Sequence, residues 1–208
     1  MRTLVGTVLD RSGSMGSVKV ETIDGFNNFI EDQRNADADQ VHLVTQFDSE
    51  YEVLQDGVEL DDVMTLNEQN YVPRGGTQLL DAMGQTIMKM DSIMAGDRTI
   101  TQSILVVLTD GQEYGSQEFT RESVFKLIEN RKALGNWDFI FLGAGQDAIK
   151  QAQGFGIANS AQYNATGQGT TQAIQTLSRS VTNYSMGGDA KVNLDAPDSN
   201  PNPDTPKS

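Results

Sequence analysis

The chain has 208 residues with 29 acidic and 15 basic side chains, a net charge of −14, one histidine and no cysteine. So acidic a surface argues against nucleic acid and anionic membrane as partners, because binding either begins with neutralising phosphate. The missing cysteines remove disulfides, thiolate metal sites and thiol nucleophiles, and a histidine-based zinc centre or a Ser-His-Asp triad would have to run through His42 alone.

The N-terminus does not read as a signal peptide, since Arg2 is followed by a short apolar stretch that stops at Asp10. That stretch (Leu4, Val5, Val8, Leu9) predicts a buried strand, and Asp10-Arg-Ser-Gly-Ser-Met-Gly-Ser17 a loop. Ile23, Phe26, Phe29 and Ile30 recur at helical spacing, which predicts an amphipathic helix over 17–34 capped by Ser14 or Ser17. Residues 41–47 and 51–54 predict two strands joined by a tight turn at Asp48-Ser-Glu50, with His42 inside the first as a core or edge residue. A short helix is expected within 59–76, before the loop Pro73-Arg-Gly-Gly76. Leu79, Leu80, Met83, Ile87, Met90 and Met94 mark a strong helix, whose methionines serve core packing.

Ile104–Leu108 is the most evident buried strand and the longest aliphatic run, far too short to span a bilayer. It ends in Thr109-Asp-Gly111. A helix around 124–131, a strand at 139–142, a short helix at 148–152, a strand over 160–165 and a helix over 170–184 follow. Gly143-x-Gly145 is too short for a dinucleotide fingerprint, and the glycine-rich loops lack a Walker lysine. Two glycosylation sequons, at Asn164 and Asn183, read as chance matches without a signal peptide. Residues 1–186 are expected to form one domain, and 187–208, with four of the five prolines, an extended tail. The expected location is the cytoplasm or a phage particle.

Alternating strands and helices imply an α/β doubly wound, Rossmann-like sheet. Such sheets bind ligands beyond the carboxyl ends of their central strands. Asp10-x-Ser12-x-Ser14, Thr77 and Asp110 offer oxygen and neither nitrogen nor sulfur there, a donor set suited to Mg²⁺ or Mn²⁺ and also to Ca²⁺.

These residues carry a resemblance. Asp10-x-Ser12-x-Ser14, a distant Thr77 in Gly-Gly-Thr-Gln-Leu-Leu-Asp-Ala and a distant Asp110 in Leu-Thr-Asp-Gly resemble a von Willebrand factor type A domain with a metal-ion-dependent adhesion site. The variants look like the stand-alone bacterial and phage branch. The resemblance implies a mostly parallel central sheet with one antiparallel edge strand, here Tyr51–Leu54, between helices. It implies that Ser12, Ser14 and Thr77 bind a divalent cation directly, Mg²⁺ in the first place. Asp10 and Asp110 would bind it directly or through water, and a partner's Asp or Glu would complete the site. The implied function is non-enzymatic protein recognition, in bacterial or phage adhesion or assembly or as an adaptor for a ring-forming AAA+ ATPase.

Two other readings compete. One is a Mg²⁺-dependent phosphohydrolase with Asp10 as nucleophile, which lacks the second acid such enzymes want two residues later; this chain has Ser12 there. The other is a metal that only braces the loops. Around the site, Asp81 reads as a first-turn carboxylate favouring the helix dipole or as a support for the metal residues. Arg11, Arg74 and Glu113 read as rim residues or solvated loop charges, and Tyr114 as an exposed anchor. The charge itself is uneven: Glu31 to Glu68 holds twelve acids and one base, Arg34. That block reads as protection of an exposed sheet edge, or as a docking face for a basic partner.

Overall fold

The computed structural model describes residues 1–145 and 147–192. The chain opens with β1 (Thr3–Asp10), a 3₁₀ turn (Gly13–Val18) and α1 (Lys19–Asn35). Then come β2 (Gln40–Phe47), β3 (Tyr51–Glu59), a 3₁₀ turn (Leu60–Asp62) and α2 (Leu79–Gly96). The second half runs β4 (Gln102–Thr109), α3 (Arg121–Lys132), β5 (Trp137–Ala144), α4 (Ala148–Gly154), β6 (Ser160–Tyr163) and α5 (Gly167–Ser185). The six strands form one sheet in the order β3-β2-β1-β4-β5-β6. Only the β2–β3 pair is antiparallel, so the expected doubly wound sheet with an antiparallel edge is what the chain forms.

Each face of the sheet has its own core. Leu4 and Val8 of β1, Leu105 and Val107 of β4 and Phe139 and Phe141 of β5 pack beneath α2, α3 and α4. Val5 and Leu9, Ile104, Val106 and Leu108, and Ile140 and Leu142 pack beneath α1 and α5. All eight residues of β1 and of β2 are therefore buried, which is why these strands read as near-continuous apolar runs. Gly25 allows α1 to lie close on α5, since a Cβ there would stand 2.4 Å from Ile174 Cδ1.

Several local expectations change. The helix expected over 17–34 begins at Lys19 and has no side-chain cap. The preceding 3₁₀ turn takes both serines elsewhere: Ser17 Oγ donates to the Ser14 carbonyl, and Ser14 Oγ donates to Asp110. The edge strand runs to Glu59 rather than Leu54, and the helix expected within 59–76 shrinks to the turn at Leu60–Asp62. Side chains reaching backbone groups hold that stretch instead. Arg34 donates to the carbonyls of Leu60, Asp61 and Val63, and Asn27 and Gln55 pair with the backbones of Leu66 and Met64. The sole base of the acidic block is thus a structural clamp.

Beyond α5 the chain stays on the body past residue 186. Ala190 is buried, Ser180 Oγ donates to the Lys191 carbonyl at 2.7 Å, and Val192 N donates to Asn159 Oδ1 at 2.9 Å. The rest of the expected tail, 193–208, lies outside the described residues. Among the described residues no helix is long and apolar enough to cross a membrane.

Candidate functional site

The chain winds from β1 outward to β3, then crosses back to β4 and winds outward to β6. Winding reverses between β1 and β4, so the loops leaving these neighbours turn apart and open a crevice at their carboxyl ends. Asp10 is the last residue of β1, and Asp110 follows the last residue of β4.

Asp10 is held on every side. Its Oδ1 accepts from Ser12 N at 2.7 Å, an Asx turn that bends the chain back over the strand end. Its Oδ2 accepts from Thr109 Oγ1 at 2.5 Å, and its backbone carbonyl from the buried Tyr71 hydroxyl at 2.5 Å. The turn sets Ser12 Oγ 3.1 Å from Ser14 Oγ, and Ser14 Oγ donates to Asp110 Oδ1 at 2.7 Å. The loop carrying Thr77 is laced to the first by Arg74 N on the Arg11 carbonyl (2.8 Å) and by Gly13 N on the Gly75 carbonyl (3.4 Å). Gly75 has φ +66°, a conformation that costs glycine little. Thr77 also pairs with Tyr114 across an antiparallel bridge. A Cβ placed on Gly111 would lie 3.2 Å from Thr77 Oγ1 and 3.8 Å from Asp10 Oδ2, so three loops meet around this glycine.

The carboxylates are electrostatically exposed to each other. Burial pushes Asp10 up to about 6 against the pull of its hydrogen bonds, and burial also raises Asp110. Neither has a cationic neighbour among the described residues. Two desolvated carboxylates without a base, beside three hydroxyls, form a donor set with which a hard divalent cation is compatible. Among the described residues no group of three or more His, Asp or Glu side chains could hold a metal, so hydroxyls would have to complete any such site.

The rim residues behave differently from the sequence reading. Arg11 is buried between Asp48 (2.9 Å) and Glu52 (2.5 Å), and Arg74 bonds Asp48 (2.8 Å) and Glu50 (2.9 Å). Together they brace the β2–β3 turn. Glu113 is not a free rim charge: it accepts from Leu80 N in the first turn of α2, and from Ser116 N and Oγ. Asp81 accepts from the backbone N–H groups of Gln117, Glu118 and Phe119 at 2.7–2.9 Å, so it fastens the loop after β4 rather than facing the crevice. Tyr114 is 79% exposed, as an anchor would be. Sequence reasoning missed Tyr71 and the Thr109–Asp10 bond. The only signal for the latter is the hydroxyl immediately before Asp110.

A doubly wound sheet with one antiparallel edge and an all-oxygen cluster at its winding reversal places this chain among the Rossmann-like α/β domains. The von Willebrand factor type A domain model matches residues 5–180, and the chain belongs to that family. No curated protein sequence matches it. Among solved structures it is similar to the PilB minor pilin from Streptococcus sanguinis, with TM-score 0.66 and 12% identity over 88% of this chain and 61% of the pilin. It is also similar to the SpaC pilus adhesin from Lactobacillus rhamnosus GG (0.63; 13%; 88% and 31%) and to the SpRpn10 VWA domain (0.56; 11%; 81% and 91%). At these identities the likeness is one of fold. The chain spans about three fifths of the minor pilin's length.

Proposed function

We propose that this domain is a non-enzymatic, metal-dependent protein-recognition module. Asp10, Ser12, Ser14, Thr77 and Asp110 would hold one divalent cation, Mg²⁺ first and Mn²⁺ or Ca²⁺ as substitutes. When bound, the cation supplies a Lewis-acid contact for an Asp or Glu side chain of a partner protein. The observation that carries this reading is the meeting of two unpaired carboxylates with three hydroxyls at the winding reversal. Asp10 orients the first loop through Ser12 N, while Ser14 and Asp110 lie at the more open end. The likeness in fold to a minor pilin and a pilus adhesin supports a bacterial adhesion or assembly setting, ahead of a phage setting or an adaptor role for an AAA+ ATPase. Asp10 suits a phosphohydrolase poorly, because Ser12 stands where such enzymes want their second acid.

The test is cation-linked stability. At 100-fold excess over Kd, Mg²⁺ stabilises by about 2.7 kcal/mol. That raises the melting temperature of a domain this size by roughly 5–10 °C over chelated protein. Asp110→Ala should abolish the shift. An unchanged melting temperature with and without cation sinks the reading. Thr77→Ala in a partner pull-down separates recognition from bracing: retained partner binding would leave the metal a merely structural role.

A further inference from the structure

A groove of about 310 Å³ begins at Gln112, two residues after Asp110, and is lined also by Glu113, Arg121, Asp147, Lys150 and Gln151. It lies at the same carboxyl end of the sheet, since Arg121 opens α3 and Asp147 and Lys150 stand at the start of α4, after β4 and β5. Most of its charges are spoken for. Glu113 is committed to α2 and Ser116. Lys150 reaches Asp147 at 3.3 Å. Arg121 has neither an ion pair nor a hydrogen bond among the described residues. Its guanidinium lies over the buried Phe155 ring, 5.0 Å from the centroid. Gly154 makes the seat, since a Cβ there would stand 2.6 Å from Arg121 Nη1. The amide nitrogen of Gln151, in the same groove wall, also has no acceptor.

Arg121 is exposed and makes no ion pair in a chain with about twice as many acids as bases, so its donors are open to an acceptor from outside in exchange for water. Stacking on Phe155 removes much of its side-chain freedom before any contact forms, and the planar fork suits a carboxylate. We infer that Arg121 is a specificity subsite for a second acidic side chain, close in sequence to the one that reaches the cation. The partner is thus a protein segment with two neighbouring Asp or Glu residues. This rests on the metal-dependent recognition proposed above.

The experiment titrates full-length protein by NMR with synthetic peptides Ac-Gly-Asp-Glyₙ-Asp-Gly-NH₂, n from 0 to 4. A one-Asp peptide of matched length is the reference, and each is run with Mg²⁺ and with chelator. One spacing should bind roughly three- to tenfold tighter than the reference in Mg²⁺, the range of a well-placed charge-assisted contact. Arg121→Gln should remove that gain and leave one-Asp binding unchanged. Gly154→Ala, which keeps the charge but crowds its seat, should reduce the gain. If the one-Asp peptide binds with Mg²⁺ but no spacing adds affinity, or the gain survives Arg121→Gln, the subsite is wrong and the metal reading stands. A gain that depends on Arg121 but is equal in chelator supports the subsite and overturns the metal reading. Absence of binding in every arm overturns both.

Discussion

His42 offers the sharpest physical test of the fold. It stands in β2 with its ring fully buried. Its Nε2–H donates to Gln40 Oε1 at 2.9 Å, because the Gln40 amide nitrogen is committed to Gln33 Oε1 (2.9 Å) and Ser185 Oγ (2.7 Å). Nδ1 is left buried without a partner, and the Phe29 ring stands edge-on at 6.2 Å. Protonation there would bury an uncompensated charge. Burial, with repulsion from Arg34 added, lowers the ring's pKa from 6.5 to about 3. Between those values the unfolded chain takes up a proton that the folded chain refuses, so stability falls as pH falls through this window. The slope is about 1.4 kcal/mol per pH unit, or about 2 kcal/mol between pH 7 and pH 5.

Asp10 acts with the opposite sign. Held near 6 instead of 3.8, it favours the fold as pH drops between those values, so the wild-type profile alone mixes the two groups. The assay is therefore urea unfolding in chelator, at pH 7 and pH 5, of wild type and His42→Gln, which keeps an N–H donor but does not titrate. Asp10 cancels in the difference. Wild type should lose about 2 kcal/mol more than the variant on acidification. A difference that is the same at both pH values would show that His42 is not held neutral by the fold. So would NMR signals of this single histidine ring that titrate near 6.5 in the folded protein.

Three further outcomes are expected. Gly111→Ala places a Cβ 3.2 Å from Thr77 Oγ1 and should weaken cation binding about tenfold by calorimetry; unchanged affinity would show that the threonine is not part of the cluster. Asp81→Ala strips three backbone N–H groups of their acceptor and should cost on the order of 3 kcal/mol in urea unfolding. Asp48→Ala leaves the buried Arg11 without its buried partner and should cost about 3–5 kcal/mol by the same measurement, with little of it from the half-exposed Arg74.

The strands through Leu4–Leu9 and Ile104–Leu108 were legible because helices cover both faces of the central sheet, which demands apolar residues at every position. The placing of Asp10 and Asp110 followed from those strand ends. Thr77 stands out as an oxygen donor after Gly75-Gly76, but no strand end places it beside the others; the fold carries it to within reach of Gly111. The supports were hidden for a different reason. Tyr71 on the Asp10 carbonyl, Thr109 on its carboxylate and Asp81 on the loop after β4 are contacts made 36–99 residues apart. No local period encodes such a contact. Glu113 and Arg11 read as rim residues or solvated charges because a loop sequence does not announce which backbone amide or carboxylate will fold over it.

The pairing of β1 with β4 also has a consequence for how the molecule comes into being. Asp10 and Asp110 share a crevice only because strands about a hundred residues apart in sequence lie side by side. On a ribosome adding roughly 5–20 residues per second, the first aspartate waits about 5–20 s for the second to be made. Contacts of such separation form late, after the loop-closure entropy has been overcome. The oxygen cluster is thus finished only when the middle of the sheet is finished. If this cluster is the recognition site proposed above, a half-made chain has nothing to offer a partner until folding has crossed the centre of the molecule.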